Sequence, residues 1–240
     1  MVRVKLIHLD KVSSTNDVAF SLGEKGEREV VVVIARQQTH GRGRFNRKWA
    51  SPKDKGIYTS LLLRPPITSK FSLLPLVGAL SVIRALKDIV PLTIKWPNDL
   101  LVRGKKIGGL LSQSKVSYKK IDFVILGLGV NINSKRSELP ENTTSLFIET
   151  GKLYPIESIL KAVLSNFLIL YRSFKKGNIK DIIKELEIYM ETLHREVEVS
   201  IDSKSIRGIA LYLTDEGNLV IRNDKGELTK ISALEVIHLR

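Results

Sequence analysis

The spacing of apolar residues divides the chain into a long region that mixes helices with strands and a short final region of strands alone. In the long region, apolar residues at helical spacing predict helices at about residues 14–22, 71–90, 156–174 and 179–190. Apolar runs and alternating segments predict strands and one hairpin at residues 4–9, 29–36, 57–63, 94–114 and 121–130. This order of elements predicts an α+β fold in which helices flank a mixed β-sheet.

The pattern changes at about residue 192, where the helical spacing stops. Short alternating segments follow, and turn-forming residues at 215–218 and 223–226 separate them. Several short strands joined by tight turns are typical of a small β-barrel. We therefore expect a main domain of residues 1–191 and a small β-barrel domain of residues 192–240.

Composition narrows the class of protein. The chain has 240 residues, of which 43% are hydrophobic, and it contains no cysteine and no apolar run long enough to cross a bilayer. The lack of cysteine excludes disulfides and thiolate metal sites. Together with an N-terminus unlike a signal peptide, these properties predict a cytoplasmic protein without a membrane partner.

The net charge of +14 is large for a chain of this length. Such a charge fits a nucleic acid, a membrane surface or an acidic protein as the partner, and it also fits the lysine-rich surface of a heat-adapted protein. The lysines are spread along the chain, which favours the last two interpretations.

The candidate chemistry begins at residues 41–49, the run Gly-Arg-Gly-Arg-Phe-Asn-Arg-Lys-Trp. Its two glycines let a ligand approach the backbone closely. Arg42, Arg44 and Arg47 offer planar groups suited to phosphate or carboxylate, and Trp49 offers a flat face for a ring. We expect this loop to be mobile until an anion gathers the arginines, although the run alone is equally typical of a solvated basic loop.

A second polar segment, Lys-Trp-Pro-Asn-Asp at residues 95–99, precedes a predicted hairpin. Proline restricts the backbone there, so that Asn98 and Asp99 are rigidly presented at a turn. Lys106 lies at the start of the returning strand, ahead of two glycines that leave room for a ligand or mark a bulge. Lys105 should point to the opposite face, although a bulge in the hairpin would exchange the two faces.

Taken together, these segments resemble the signature of the biotin–protein ligases. The arginine–glycine loop is followed by Lys-Trp-Pro-Asn-Asp and then by a lysine before an Ile-Gly-Gly strand. Two further segments agree, Ser-Thr-Asn at residues 14–16 and Gly-Leu-Gly-Val-Asn at residues 127–131. The resemblance covers essentially the whole chain. It implies a catalytic domain similar to the class II aminoacyl-tRNA synthetases and biotin ligases, followed by a small Src-homology-3-like β-barrel.

The resemblance also implies a two-step reaction. The biotin carboxylate attacks the α-phosphate of ATP to give biotinyl-5′-AMP and pyrophosphate, and a lysine of a biotin carboxyl carrier protein then expels AMP. It assigns the catalytic roles to Lys106, at the carboxylate and α-phosphate, and to Arg44, at the adenylate phosphate. Biotin and ATP are the expected substrates and Mg²⁺ the expected activator, positioned by Asp99 with help from Asn98.

Matching positions in the same motifs give the other site residues. Biotin contacts are expected at Ser14, Thr15, Asn16, Gln38, Gly41, Arg42, Gly43, Arg44, Lys106, Gly109 and Leu111. Contacts with ATP and the adenylate are expected at Arg44, Arg47, Trp49, Asn98, Asp99, Lys106, Gly129 and Asn131. Ser14 or Thr15 could cap a helix as well. Of the two tryptophans, Trp49 and Trp96, one should cover the adenine or the ordered loop while the other fills the core.

Family members that also repress transcription carry a winged helix ahead of the catalytic domain. Here the catalytic strand is predicted to begin at Val4, so we expect a ligase without a DNA-binding function. Homodimers are common in the family, but the sequence contains no interface signature. Two other functions remain open: a lipoate–protein ligase of the same superfamily, and a basic nucleic-acid-binding protein that clamps phosphates with residues 42–47.

Overall fold

The computed structural model describes residues 4–66, 68–118, 120–201, 204–232 and 236–238. The outer ends of the two predicted domains, residues 1–3 and 239–240, lie outside the described residues. The elements follow one another as β1 Lys5–Val12, α1 Thr15–Glu24, β2 Val31–Gln38, β3 Gly56–Leu63, α2 Leu74–Leu86, β4 Leu92–Lys95, β5 Asp99–Val102, β6 Lys105–Ser117, β7 Lys120–Asn131, α3 Leu146–Thr150, α4 Ile156–Lys175, α5 Ile179–Tyr189, β8 Glu196–Ile201, β9 Lys204–Leu213, β10 Leu219–Arg222, β11 Leu228–Ile231 and β12 Val236–His238.

The first seven strands form one mixed sheet in the order β1-β2-β3-β7-β6-β5-β4. β1 runs parallel to β2, and every other neighbouring pair is antiparallel. All residues of β3 are buried, because β3 lies inside the sheet and helices cover both of its faces. The predicted α+β fold with a mixed sheet flanked by helices is confirmed.

Alternation along the strands sends side chains to two different layers. One face packs against α1 through a small cluster that includes Val31, Val33, Leu62, Phe123 and Ile125. The other face packs against α2, α4 and α5 in the larger core. From Ile125 onward, the odd-numbered residues of β7 continue the face that packs against α1. This face holds the candidate site.

One helix cap and one helix start differ from the predictions. Ser14 occupies the position before α1 with extended backbone, but its side chain makes no capping hydrogen bond, so the capping role is not observed. The helix predicted from residue 71 begins at Leu74, because a 3₁₀ turn over Thr68–Leu73 comes first and Pro75 follows in the first helical turn. Within the described ranges, no helix combines the length and the apolar character needed to cross a membrane.

The C-terminal strands form a second, five-stranded antiparallel sheet in the order β11-β10-β9-β8-β12. A closed barrel would require the two edge strands to pair. Among the described residues no pairing joins β11 with β12, so the second sheet is confirmed and its closure into the predicted barrel stays a prediction.

The β9–β10 turn connects this small sheet with the main one. The indole nitrogen of Trp96 donates a hydrogen bond to the carbonyl of Gly217 (2.9 Å), and the Ser72 hydroxyl donates to the carbonyl of Glu216 (2.7 Å). Trp96 is only 2% exposed. It is therefore the tryptophan that fills the core, as predicted for one of the two.

Candidate active site

A cavity of about 250 Å³ opens on the α1 face of the large sheet. Its walls come from the start of α1, the end of β2, the arginine–glycine loop (residues 41–49), the β4–β5 turn, β6, β7 and residues 139–143. All but one of the predicted site residues line it. The exception is Gly41, the first residue of the loop. Its carbonyl accepts the Trp49 N–H (2.8 Å), and a Cβ atom would lie 2.7 Å from the Trp49 carbonyl.

Uncharged polar groups form one side of the cavity. Ser14, Thr15 and Asn16 are all buried at the start of α1. Gln38, at the end of β2, accepts hydrogen bonds from the backbone N–H of Thr15 (2.9 Å) and from its hydroxyl (3.1 Å). The amide nitrogen of Gln38 donates to the Ser51 hydroxyl (3.0 Å), which fixes the orientation of the Gln38 side chain. This polar cradle is therefore held by protein contacts alone.

Three residues of the cradle were missed by the sequence analysis. The hydroxyl of Ser60 donates to Asn16 Oδ1 (2.6 Å) and lies 2.7 Å from the Thr15 hydroxyl oxygen. Asn16 Nδ2 donates to Gln113 Oε1 (2.8 Å). A Cβ atom at Gly127 would lie 2.2 Å from Asn16 Oδ1, so only glycine leaves room for this side chain. The one available signal was the pair of polar residues Thr59 and Ser60 in the middle of a largely apolar strand.

The arginine–glycine loop forms the second wall. A bridge between Arg42 and Lys48 closes its base, and the Gly43 N–H donates to the Arg47 carbonyl (2.7 Å). The tip is one 3₁₀ turn, Arg44–Asn46, in which Phe45 has a positive φ of 53°. Apart from this turn and the bridge, the segment contains no helix or strand, and its mobility in the absence of an anion stays a prediction. Arg42 forms an ion pair with Asp17 of α1, which ties the loop to the cradle.

The β4–β5 turn carries two polar side chains into the cavity. Asp99 Oδ1 accepts from the Lys106 ammonium at 2.6 Å. Asn98 Oδ1 accepts from Arg44 Nη1 at 3.3 Å. The two residues predicted to be catalytic are therefore bound by consecutive residues of one turn.

The register between β5 and β6 contains a bulge. Leu100 lies opposite Gly108, but Leu101 lies opposite Lys106, so Ile107 is an additional residue in β6. Ile107 is completely buried in the larger core. Its apolar side chain therefore holds the bulge in place.

The bulge determines where Lys106 points. Strict alternation would place Lys106 on the same face as Leu110, which packs on the opposite side of the sheet against Gly78 of α2. Because one residue is inserted, Lys106 shares the cavity face with Gly109. Lys105 is exposed and does not line the cavity, so the bulge does not exchange the roles of Lys105 and Lys106, as the sequence analysis had allowed.

Trp49 covers part of the cavity floor. Its indole ring rests on Gly129, where a Cβ atom would lie 2.6 Å from Nε1 and from Cε2. The Lys106 ammonium lies 5.5 Å from the centroid of the same ring, within the range of a cation–π contact. The indole nitrogen is buried and has no hydrogen-bond partner within the described chain. Gly129 thus serves the packing of Trp49 in this conformation.

Residues 139–143 form a wall that the sequence analysis did not identify. The Lys106 N–H donates to the Asn142 carbonyl (3.0 Å), and the Thr144 N–H donates to the Lys106 carbonyl (2.7 Å). Asn131 Nδ2 donates to the Thr144 carbonyl (3.0 Å), so this predicted nucleotide residue is engaged with the same segment. The wall therefore fixes the backbone on both sides of Lys106.

The biotin/lipoate A/B protein ligase family model matches residues 9–131. The bifunctional ligase/repressor BirA of Bacillus spizizenii is 31% identical over 238 residues, which cover 96% of this chain and 73% of that protein. The chain belongs to the biotin/lipoate A/B protein ligase family.

Other relatives of this family member agree. The biotin–[acetyl-CoA-carboxylase] ligase of Mycobacterium tuberculosis is 29% identical over 244 residues, covering 96% of this chain and 87% of that protein. Among solved structures, the biotin protein ligase from Aquifex aeolicus in complex with biotin and ATP superposes with a TM-score of 0.84. It is 32% identical, and the match covers 98% of this chain and 99% of that one.

The cavity of this ligase-family chain combines cations with a neutral polar cradle. Such a site can bind a molecule with one anionic end and one uncharged hydrogen-bonding end. Among the residues that the structure describes, no group of three His, Cys, Asp or Glu side chains could hold a metal ion. Asp99 alone fits a magnesium ion only if phosphate oxygens supply most of the remaining ligands.

Proposed function

We propose that this chain is a biotin–protein ligase that forms biotinyl-5′-AMP from biotin and ATP and transfers biotin to a lysine of a biotin carboxyl carrier protein. The observation that supports this most strongly is the pairing of Lys106 with Asp99 and of Arg44 with Asn98 beside the neutral cradle. It places two cations at one part of a cavity whose other part is uncharged. Biotin has this division, with a carboxylate at one end and a ureido ring at the other.

In the first step, an oxygen of the biotin carboxylate forms a bond to the α-phosphorus, and the bond from that phosphorus to the bridging oxygen of pyrophosphate breaks. Two anions approach each other, so fixed positive charge is needed where the charge increases. We assign this role to Lys106, with Arg44 on the α-phosphate. Arg42 and Arg47 assist on the carboxylate and the outer phosphates, and Trp49 provides a face for the adenine.

The cradle recognises the ureido ring through hydrogen bonds. Ser14, Thr15, Asn16 and Gln38 offer both donors and acceptors, and these are presented by a buried network that needs no ligand to hold it. Gly109 and Leu111 line the tail. A lipoyl group has no ureido ring, so this set of groups favours biotin over lipoate.

In the second step, the amine of the carrier lysine attacks the carbonyl carbon of the mixed anhydride. The carbon–nitrogen bond forms, the bond to the AMP oxygen breaks, and the amine releases its proton to the medium. Magnesium, bound through the triphosphate and Asp99, would offset phosphate charge in the first step.

We also propose that residues 192–240 form a domain separate from residues 1–191.

The position of the arginines argues against the nucleic-acid alternative. Arg42, Arg44 and Arg47 line a concave cavity together with the cradle. A phosphate clamp for a polymer would be expected along an open groove with stacking aromatics.

Pyrophosphate release tests the proposed function. The purified chain with Mg-ATP should release pyrophosphate when biotin is added, and not with lipoate or without either acid. Biotin should then appear on the acceptor lysine of an added carrier domain. Release with lipoate alone would favour a lipoate ligase, and no release with either acid would contradict the proposal.

A further inference from the structure

Asn98 is held to β6 by one hydrogen bond of its side-chain amide and one of its backbone. Asn98 Nδ2 donates to the Leu110 carbonyl (2.7 Å), and the Asn98 backbone carbonyl accepts the Leu110 N–H (3.0 Å). These two bonds join the β4–β5 turn to β6 and determine which way the amide faces. Its remaining oxygen therefore points to Arg44 Nη1, at 3.3 Å.

The turn that carries Asn98 is anchored from behind. The Trp96 N–H donates to the Thr192 hydroxyl (2.9 Å), and its indole nitrogen donates to the Gly217 carbonyl (2.9 Å). Because Trp96 is almost completely buried, the turn cannot move without disturbing the core. Asn98 is thus a fixed acceptor beside a loop whose own tip is a single 3₁₀ turn.

A fixed hydrogen-bond acceptor can order a long cationic side chain before a ligand binds. Arginine carries about 2 kcal/mol of rotamer entropy, part of which is lost whenever the guanidinium is ordered for a ligand. A hydrogen bond already present in the free protein reduces that loss when the ligand binds. Because the guanidinium has five N–H donors in a planar fork, one bond to Asn98 is compatible with further bonds to a phosphate.

We propose that Asn98 is a positioning residue that presents Arg44 to the anionic ligand, and that it is not itself a ligand of the nucleotide or its magnesium. The inference deepens the proposed function and rests on it for its kinetic readouts. It replaces the sequence-based role of Asn98 in binding ATP. Asn98 and Asp99 then act in parallel, each holding one cation of the site.

A double-mutant cycle tests the proposal. Asn98→Ala should raise the KM for ATP about tenfold, as expected for one lost hydrogen bond to a charged group, and leave the KM for biotin unchanged. In an Arg44→Ala background the same substitution should have less than a twofold effect, because its partner is already absent. The magnesium concentration for half-maximal rate should not move. Multiplicative losses in the double variant, or a shifted magnesium requirement, would overturn the proposal.

A matched control variant distinguishes the loss of this contact from a general loss of stability. Asn133 makes the same kind of paired backbone bonds, through Nδ2 to the Tyr154 carbonyl (2.8 Å) and through Oδ1 from the Tyr154 N–H (2.9 Å), but it does not line the cavity. Asn133→Ala should lower the melting temperature by an amount similar to Asn98→Ala, with no change in the KM for ATP. A raised KM in both variants would indicate a structural effect.

Limited proteolysis tests the positioning role of Asn98 without a measurement of enzymatic activity. Trypsin cleaves after arginine, and Arg44 held by Asn98 should be a poor site in the free protein. Asn98→Ala should therefore accelerate cleavage after Arg44 several-fold, whereas Asn133→Ala should not. Equal cleavage rates in the native protein and Asn98→Ala would contradict the positioning role, whatever reaction the enzyme catalyses.

Discussion

The two ends of the large sheet use charged residues in different ways. At the end where β3 finishes, Glu29 accepts hydrogen bonds from the Tyr171 hydroxyl (2.6 Å), the Lys175 ammonium (2.7 Å) and the Arg64 N–H (2.7 Å). The Arg64 guanidinium in turn donates to the backbone carbonyls of Gly23, Glu27 and Asp122. At the site end, Lys106 pairs with a single carboxylate and its side chain keeps 31% of its surface exposed.

The difference separates structural charges from functional ones. At the far end, each charge is surrounded by fixed protein partners, so the network joins α4 to the sheet and leaves nothing for a ligand. At the site end, Lys106 and Arg44 each contact a side chain of residues 98–99 and still line the cavity. Substitutions at the far end should therefore change stability and not activity, and those at the site end should do the reverse.

The largest effect is expected at Lys106. Lys106→Ala should lower the rate of biotin-dependent ATP–pyrophosphate exchange by about 10²–10³, because a fixed cation is lost where charge develops. The melting temperature should change little, since the side chain is partly exposed. Lys105→Ala is the internal control and should keep native turnover. If both variants exchange at the native rate, Lys106 is an ordinary surface lysine.

The next largest effect is expected at the far end. Glu29→Gln should lower the free energy of unfolding by about 1.5–3 kcal/mol at neutral pH, because charge-assisted hydrogen bonds are lost. Burial acts to raise the pKa of Glu29, but the hydrogen bonds from Lys175, Tyr171 and the Arg64 backbone outweigh it and hold the pKa below its usual 4.5. Exchange kinetics should remain native, and a loss of activity without a loss of stability would break the comparison.

The lowered pKa of Glu29 fixes the direction of the pH dependence. A carboxyl group whose pKa is depressed on folding contributes stability above its unfolded pKa and loses it as the pH falls through the folded value. The stability difference between the native protein and Glu29→Gln should thus be complete above about pH 5 and shrink below the usual value of 4.5. Chemical denaturation at pH 7, 4 and 3 would show this, and a constant difference would contradict it.

A moderate effect is expected in the cradle. Gly127→Ala would place a Cβ atom 2.2 Å from Asn16 Oδ1 and force that amide away from Ser60 and Gln113. Biotin affinity should fall about tenfold or more, in line with the loss of at least one buried hydrogen bond. Calorimetric titration with biotin alone would measure this. An unchanged affinity would show that Asn16 does not need its observed position.

The smallest effect is expected for the ion pair between Arg42 and Asp17. Both side chains are substantially exposed, at 35% and 47%, so their attraction is screened. Asp17→Asn should change the KM for biotin by less than about threefold, consistent with exposed pairs worth at most about 1 kcal/mol. The change should disappear in 0.5 M salt. A large, salt-independent effect would place Asp17 within the structural contacts of the cradle.

Part of the fold and part of the candidate site could be predicted from the sequence. Motifs with fixed spacing predicted site residues that all line the cavity except Gly41, and periodicity located most strands and every α-helix of the described chain except α3. A bulge near the two glycines was an open alternative, but local patterns contain no information on pairing register. Neither its position at Ile107 nor its effect on Lys106 could therefore be predicted. Ser60 and Gln113 were missed because their partners lie 44 and 97 residues away from them in sequence.

The same reason explains the missed wall, and it also explains why closure of the C-terminal sheet cannot be predicted from the sequence. Residues 139–143 lie in a segment without helical or strand periodicity. They are held by pairing with Lys106 and by hydrogen bonds from the Arg136 guanidinium to carbonyls of the segment. Alternating segments predicted strands in the C-terminal region correctly, but whether a sheet closes depends on its two edges. Both features depend on long-range contacts.

The contrasting surroundings of the two tryptophans give the chain a pair of built-in optical reporters. Trp49 lies in the cavity, 5.5 Å from the Lys106 ammonium, so its emission will respond to whatever occupies the site. Trp96 borders the same cavity but is only 2% exposed and donates to the carbonyl of Gly217 in the β9–β10 turn, so its emission will respond mainly to separation of the two sheets. Because the chain has no other tryptophan, replacing either one by phenylalanine isolates the signal of the other. Ligand entry and the docking of the small sheet can thus be followed separately in solution without an added dye.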